Sequence, residues 1–227
     1  MRRQQEPMDA LFLAETLAAR LCHDLSGQVN ALVGAVEIMR EDAGPDSDVI
    51  GLANEAGEAL VRRLRLARAA WGGAGGSMSM TDWRSLVEGM PRRGVQIDLD
   101  GISTTGIFAA PAARLSLNVM LLACESLPGG GVVQVAGQPS QDFVVRLHGA
   151  RAGWPPGFAG MIADPDAALA WLRDSDMMGA TRTLQAALTA LIAHATGLRI
   201  NLLLGSHTED SPPLLVGLAA ATGCRAM

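Results

Sequence analysis

The chain has 227 residues, 49% of them apolar and 18% charged, a balance that suits a globular protein of one large or two small domains with material for a core. A net charge of −5 argues against nucleic acid or an anionic membrane as the main partner, and no apolar run reaches the length of a membrane span. Cys22, Cys124 and Cys224 are too widely spaced for a disulfide framework or a zinc pattern, which points to a reducing, cytoplasmic setting. Asp9 and Glu15 interrupt the apolar stretch that a signal peptide would need after Arg2-Arg3.

Residues 8–72 are rich in Ala, Leu, Glu and Arg and almost free of strand-like segments. They divide at EDAGPDSD (41–48), where Gly44-Pro45 halts a helix and Asp46 or Ser47 suits the N-cap of the next. This predicts an antiparallel helical hairpin over 9–42 and 47–71. In the second helix Ala53, Ala56, Leu60, Leu64, Ala67 and Trp71 recur at three- and four-residue spacing and form an apolar stripe. A lone hairpin offers each stripe only one partner. Two hairpins joined as a four-helix bundle cover both, so a homodimer is expected.

The first helix contains LAARLCHDLSGQVNALVGAVEIM (17–39). At about 100° per residue, Ala14, Leu17, Leu21, Leu25, Leu32, Val36 and Met39 fall within an arc of roughly 100°. His23 points nearly the opposite way, so it is not a core histidine. Its own face carries Thr16, Arg20, Gly27, Asn30, Gly34 and Glu41, with Ile38 at the edge. Glycine inside a helix costs about 1 kcal/mol relative to Ala, so Gly27 and Gly34 suit a face that another protein approaches closely. An ordinary solvated surface with two chance glycines is the alternative.

WGGAGGSMSM (71–80) reads as a flexible joint, and a mixed α/β domain begins near Thr81, giving domains 8–72 and 80–227. TDWRSLVEGMPRR (81–93) reads as a helix capped by Thr81 or Asp82, and GVQIDLD as a strand. PAARLSLNVMLLACESLPGGGVVQVAG (111–137) gives a helix, a glycine turn and a strand, with PGGG read as a hairpin turn. DFVVRLHG is a further strand. A helix is expected from about Thr181 to Ala195, then strands in GLRINLLLG and PLLVGLAA. There is no internal repeat, P-loop, Gly-x-Ser-x-Gly elbow or metalloprotease helix. His194 reads as structural, while His148, ending a strand, and His207, in a turn, have no neighbour at ligand spacing. No histidine precedes His23, as a His-Asp metal phosphohydrolase would require.

The 17–39 stretch resembles the phosphoacceptor box of the dimerisation and phosphotransfer domain of sensor kinases, and is most similar to the ChpT-type histidine phosphotransferases, through its Leu-Cys-His-Asp-Leu run and the small-residue helix that follows. One departure is Gln28, where sensor kinases often have Pro. The resemblance implies an α+β chain: a hairpin that dimerises into a four-helix bundle, then a degenerate kinase-like ATP-binding sandwich. It also implies how that sandwich has changed. Asn118 matches the first Asn of the kinase Asn-x-x-x-Asn-Ala helix, but Leu122 stands at the second, which in kinases holds magnesium and which a leucine cannot replace. ARAGWPPG (150–157) lies where kinases carry an Asp-x-Gly-x-Gly loop and has no acid, and no Gly-rich lid follows.

The function so implied is a relay of phosphoryl groups between receiver-domain aspartates through a phosphohistidine at His23. Asp24 would support the imidazole, by accepting a hydrogen bond from a neighbour or holding the ring proton. Arg20, Gly27, Gln28, Asn30, Ala31, Gly34 and Ile38 would face the docked receiver. No cofactor is expected on this chain, magnesium belonging to the receiver. The implied partners are a second copy and the receiver domains of a hybrid histidine kinase and of response regulators, with no nucleic acid and no membrane. An ATP-dependent sensor-type kinase and a non-catalytic adaptor for receiver domains are the alternatives.

Overall fold

The computed structural model describes residues 2–41, 47–73, 75–90, 94–174, 177–204 and 211–218. Two compact units form, Met1–Arg68 and Ala69–Met227. Asp46, one of the two expected N-caps of the second helix, and His207 and Cys224 lie outside the described residues.

The first unit is the helical hairpin, built from α1 (Arg2–Glu41) and α2 (Ser47–Trp71), whose last residues from Ala69 group with the second unit. Ala, Leu, Glu and Arg, all good helix formers, dominate both. An isolated helix leaves every side chain partly in water, so the buried Ala35 of α1 and Ala56 of α2 mark the side on which the helices meet. Arg63 of α2 reaches Asp24 of α1 along the same side.

Two consequences follow for the expected faces. Thr16, placed beside His23 by helical spacing, is fully buried and donates to Phe12 O. The apolar arc of α1 is only half covered: Leu17, Leu21, Leu25, Leu32 and Met39 keep partial exposure, and Ala14 and Val36 are exposed.

The second unit starts with a correction. The end of the expected joint is structured, because Met78–Ser79 forms β1 and pairs antiparallel with β3 (Ile107–Phe108). Helix α3 (Met80–Glu88) follows directly. Its N-cap is Ser79, not Thr81 or Asp82: Ser79 Oγ accepts from the Asp82 N–H and donates to the Asp82 carboxylate. Ser79 thus satisfies one of the orphan N–H groups of the first turn from two residues before Thr81.

Strands β2 (Val95–Ile102), β4 (Gly131–Gly137), β5 (Asp142–His148), β6 (Arg199–Leu202) and β7 (Leu214–Gly217) form one sheet in the order β2-β4-β5-β7-β6. β2 runs parallel to β4, and the other pairs are antiparallel. A parallel pair needs a crossover, supplied here by α4 (Ala110–Glu125). The glycines after α4 therefore make a helix-to-strand turn, not the expected hairpin turn. Gly131 has φ 142° and backbone so close to His148 O that no Cβ fits.

Alternation buries Val133, Val135, Phe143, Val145, Leu147, Leu214 and Val216 on one sheet face. Over the core lie α4 and α7 (Met177–Thr196), with Trp83 of α3 stacked near Phe108 at 5.3 Å and donating to Ser116 Oγ at 2.8 Å. The short helices α5 (Phe158–Ala163) and α6 (Pro165–Asp174), not foreseen from the sequence, pack on α7. The mixed helix-and-sheet class with an N-terminal helical hairpin is as expected. Among the described residues, no helix is long and apolar enough to cross a membrane.

Candidate functional site

The site lies near the middle of α1. The His23 side chain is 82% exposed, whereas that of its neighbour Asp24 is 15% exposed. One residue turns the helix by about 100°, so Asp24 comes round to the side that meets α2 while His23 stays in water. Asp24 Oδ2 accepts from Arg20 Nε at 3.0 Å, an i,i+4 pair within α1. Asp24 Oδ1 lies 3.5 Å from His23 Nδ1 and 4.0 Å from Arg63 Nη2. One carboxylate is thus shared between two guanidinium groups and the ring nitrogen nearer the backbone. His23 Nε2 lies at the far side of the ring from Asp24, on a side chain that is mostly in water.

The expected neighbours separate into two groups. Gly27, Asn30, Ala31 and Ile38 are exposed, and Gly34 and Gln28 are half-buried. A Cβ added at Gly27 or Gly34 would meet nothing within 4 Å. These residues leave an open strip running from His23 along α1. Arg20 is apart from them: its side chain is 19% exposed and turned to Asp24 rather than outward. Its guanidinium pairs with the carboxylate next to His23. Arg63 was not singled out from the sequence. The available signal was an arginine at the three- and four-residue spacing of Ala56, Leu60 and Ala67.

In the second unit lie Asn118 and Leu122, the two positions of α4 singled out from the sequence. Asn118 is fully buried. Its Nδ2 donates to Ala70 O and to Arg114 O, each at 2.8 Å, and its Oδ1 accepts from Gln185 Nε2 at 2.9 Å. Gln185 and Thr189 of α7 also reach the Asn118 carbonyl, at 3.1 and 3.4 Å. The amide thus ties three helical segments together. Leu122 is buried in the core, 1% exposed. In the acid-free loop, Trp154 donates to Pro212 O at 2.7 Å and stacks near Phe158, and Gly157, at φ 80°, caps α5. His194 meets Met161 O at 3.0 Å, a structural contact, and His148 ends β5.

Comparison with known proteins agrees with this architecture. Residues 80–207 match the family model of the histidine phosphotransferase C-terminal domain. The protein phosphotransferase ChpT of Brucella abortus (strain 2308) is 27% identical over 158 residues, spanning 66% of this chain and 74% of that protein. The solved structure of a bacterial phosphotransferase superposes with a TM-score of 0.64 at 22% identity, covering 91% of this chain and 95% of that one. At that identity the superposition speaks for the fold.

Proposed function

The chain belongs to the histidine phosphotransferase family, and from that premise we propose that it relays phosphoryl groups between receiver-domain aspartates through His23. The observation that carries this reading is an exposed imidazole whose Nδ1 faces a half-buried carboxylate while Nε2 points outward. An unprotonated imidazole nitrogen carries a lone pair that can attack an electrophilic phosphorus. In the step proposed, Nε2 attacks the phosphorus of an aspartyl phosphate, the bond from phosphorus to the carboxylate oxygen breaks, and the receiver's aspartate leaves as a carboxylate. The ring keeps its Nδ1 proton and becomes a phospho-imidazolium, whose positive charge Asp24 Oδ1 offsets. Transfer to a second receiver is the reverse step. The transition state is loose, so alignment and charge neutralisation supply most of the acceleration, with magnesium held by the receiver.

The homodimer belongs to the same proposal. Met8, Leu11, Val29, Val33 and Val36 on α1 and Ile50, Val61 and Leu64 on α2 are each more than 40% exposed, and most recur at coiled-coil spacing. They border the half-covered arc, so a second hairpin seated there completes a four-helix core and leaves His23 on the outside. The docking strip is then Gly27, Gln28, Asn30, Ala31, Gly34 and Ile38. The chain takes no ATP in this proposal. Two observations support that: the Asn118 amide is committed to protein partners, and Leu122 offers no oxygen. The proposed setting is the cytoplasm.

The test supplies radiolabelled phosphate in two forms, on a phosphorylated receiver and as magnesium-ATP. Acid-labile, alkali-stable label should reach this chain from the receiver alone and pass to a second receiver. Label arriving from ATP alone would return the reading to a kinase.

A further inference from the structure

We infer that Arg63 of α2 is a positioning residue for His23: it holds Asp24 Oδ1 where that oxygen keeps the imidazole in its Nδ1–H form. The inference rests on the reading of His23 as phosphoryl acceptor. Its basis is a cluster of three charges where an apolar seam would be expected. The side of α2 that carries Arg63 also carries the buried Ala56, and the side of α1 that carries Asp24 also carries the buried Ala35, eleven residues on. Into this seam project Arg20, Asp24 and Arg63, with side chains only 19%, 15% and 21% exposed. Taking charges out of water is unfavourable unless they are paired, and such clusters gather where a reactive group needs its surroundings set.

The division of labour follows from the two carboxylate oxygens. Arg20 takes Oδ2 at 3.0 Å, leaving Oδ1 to face both the ring and α2. Without a cation on the α2 side, the carboxylate can rotate about its terminal torsion, which is broad and roughly two-fold. Arg63, 4.0 Å from Oδ1, opposes that rotation from the other helix. The oxygen is then in place to accept a hydrogen bond from Nδ1–H, so that Nε2 carries the lone pair. A transmitted effect follows: the second helix of the hairpin governs the chemistry of the first through Asp24.

The experiment compares the full-length protein with Arg63→Gln and Arg63→Lys. Ring 15N shifts of His23 report the tautomer, and receiver affinity and single-turnover transfer rate are measured separately. Arg63→Gln should lower the transfer rate about 10-fold, leave receiver affinity within twofold, and raise the share of the Nε2–H tautomer; a misplacement near 1 Å can cost up to about 100-fold. Arg63→Lys keeps the charge and should recover part of the rate. An unchanged tautomer and rate in Arg63→Gln overturns the role of Arg63 while leaving the relay intact. Loss of receiver affinity in proportion to rate overturns it in favour of docking. Should Arg63→Gln unfold, Arg63→Lys decides: a folded lysine variant with a reduced rate and a raised share of the Nε2–H tautomer supports the role, and one with the tautomer unchanged overturns it. Absence of transfer in the parent protein would instead overturn the reading of His23.

Discussion

The two units treat their polar and apolar groups in opposite ways. In the second unit, Trp83, Asn118, Gln185 and Thr189 are buried and their side chains meet protein partners, and the sheet face packs under α4 and α7. The hairpin leaves its business unfinished. Large apolar side chains from Met8 to Leu64 stand in water, and a histidine beside a clustered carboxylate projects outward. A surface that costs stability in the single chain is expected where other molecules complete it. The contrast leaves the hairpin open to other molecules, as the proposed relay requires, and makes the second unit a scaffold built around its own core.

The sharpest way to break this contrast is at the reactive group. His23→Ala removes the nucleophile and adds no bulk, so transfer should fall by at least about 1000-fold. Receiver affinity, read by calorimetry, should stay within a few-fold. Next in size is the apolar stripe. Leu64 is 45% exposed in the single chain, so Leu64→Asp should be tolerated by a lone hairpin. In a dimer the same change buries two charges, and self-association measured by sedimentation should weaken at least about 100-fold. A parent protein that sediments as a folded monomer at micromolar concentration would remove the dimer from the account.

Gly34→Leu sharpens the comparison from the docking side. Nothing lies within 4 Å of the added Cβ, and the helix gains about 0.5–1 kcal/mol from losing a glycine. Thermal stability should therefore hold or rise while receiver affinity falls about 10-fold. Native affinity in this variant would place the docking face elsewhere. The smallest effect on the relay is expected from Asn118→Leu. It removes the donor to Ala70 O and the acceptor for Gln185, and leaving such buried groups unpaired costs about 1–3 kcal/mol each. Urea denaturation should show that loss. Transfer measured well below the midpoint should remain within about twofold of the parent.

The sequence made some of this legible and hid the rest for physical reasons. The outward direction of His23 and the incomplete cover of the Leu17–Met39 arc follow from helical periodicity, which is local information. The strands of the second unit were legible for a similar reason, since Phe143, Val145 and Leu147 alternate into the core. Periodicity alone could not say where α2 would sit around α1. That is why Thr16 and Arg20 were placed on the open face, when the one is buried and the other bends to Asp24. The pairing of Met78–Ser79 with Ile107–Phe108 was hidden because two-residue strands have no period to read. The Asn118 network was hidden because it joins residues up to 71 positions apart. Asp24 shows both sides at once: its proximity to His23 is written in the chain, and its proximity to Arg63 is made only by folding.

The central claim is that phosphate passes through His23 on the hairpin. A rapid-quench pulse-chase tests it most directly: labelled phospho-receiver is mixed with the protein, a second receiver is added as chase, and His23-containing peptide is recovered under alkaline conditions at each time. The account predicts label on that peptide before it appears on the second receiver, its decay matching the second receiver's gain, and no relay in His23→Ala. Label reaching the second receiver at the parental rate in His23→Ala would contradict it.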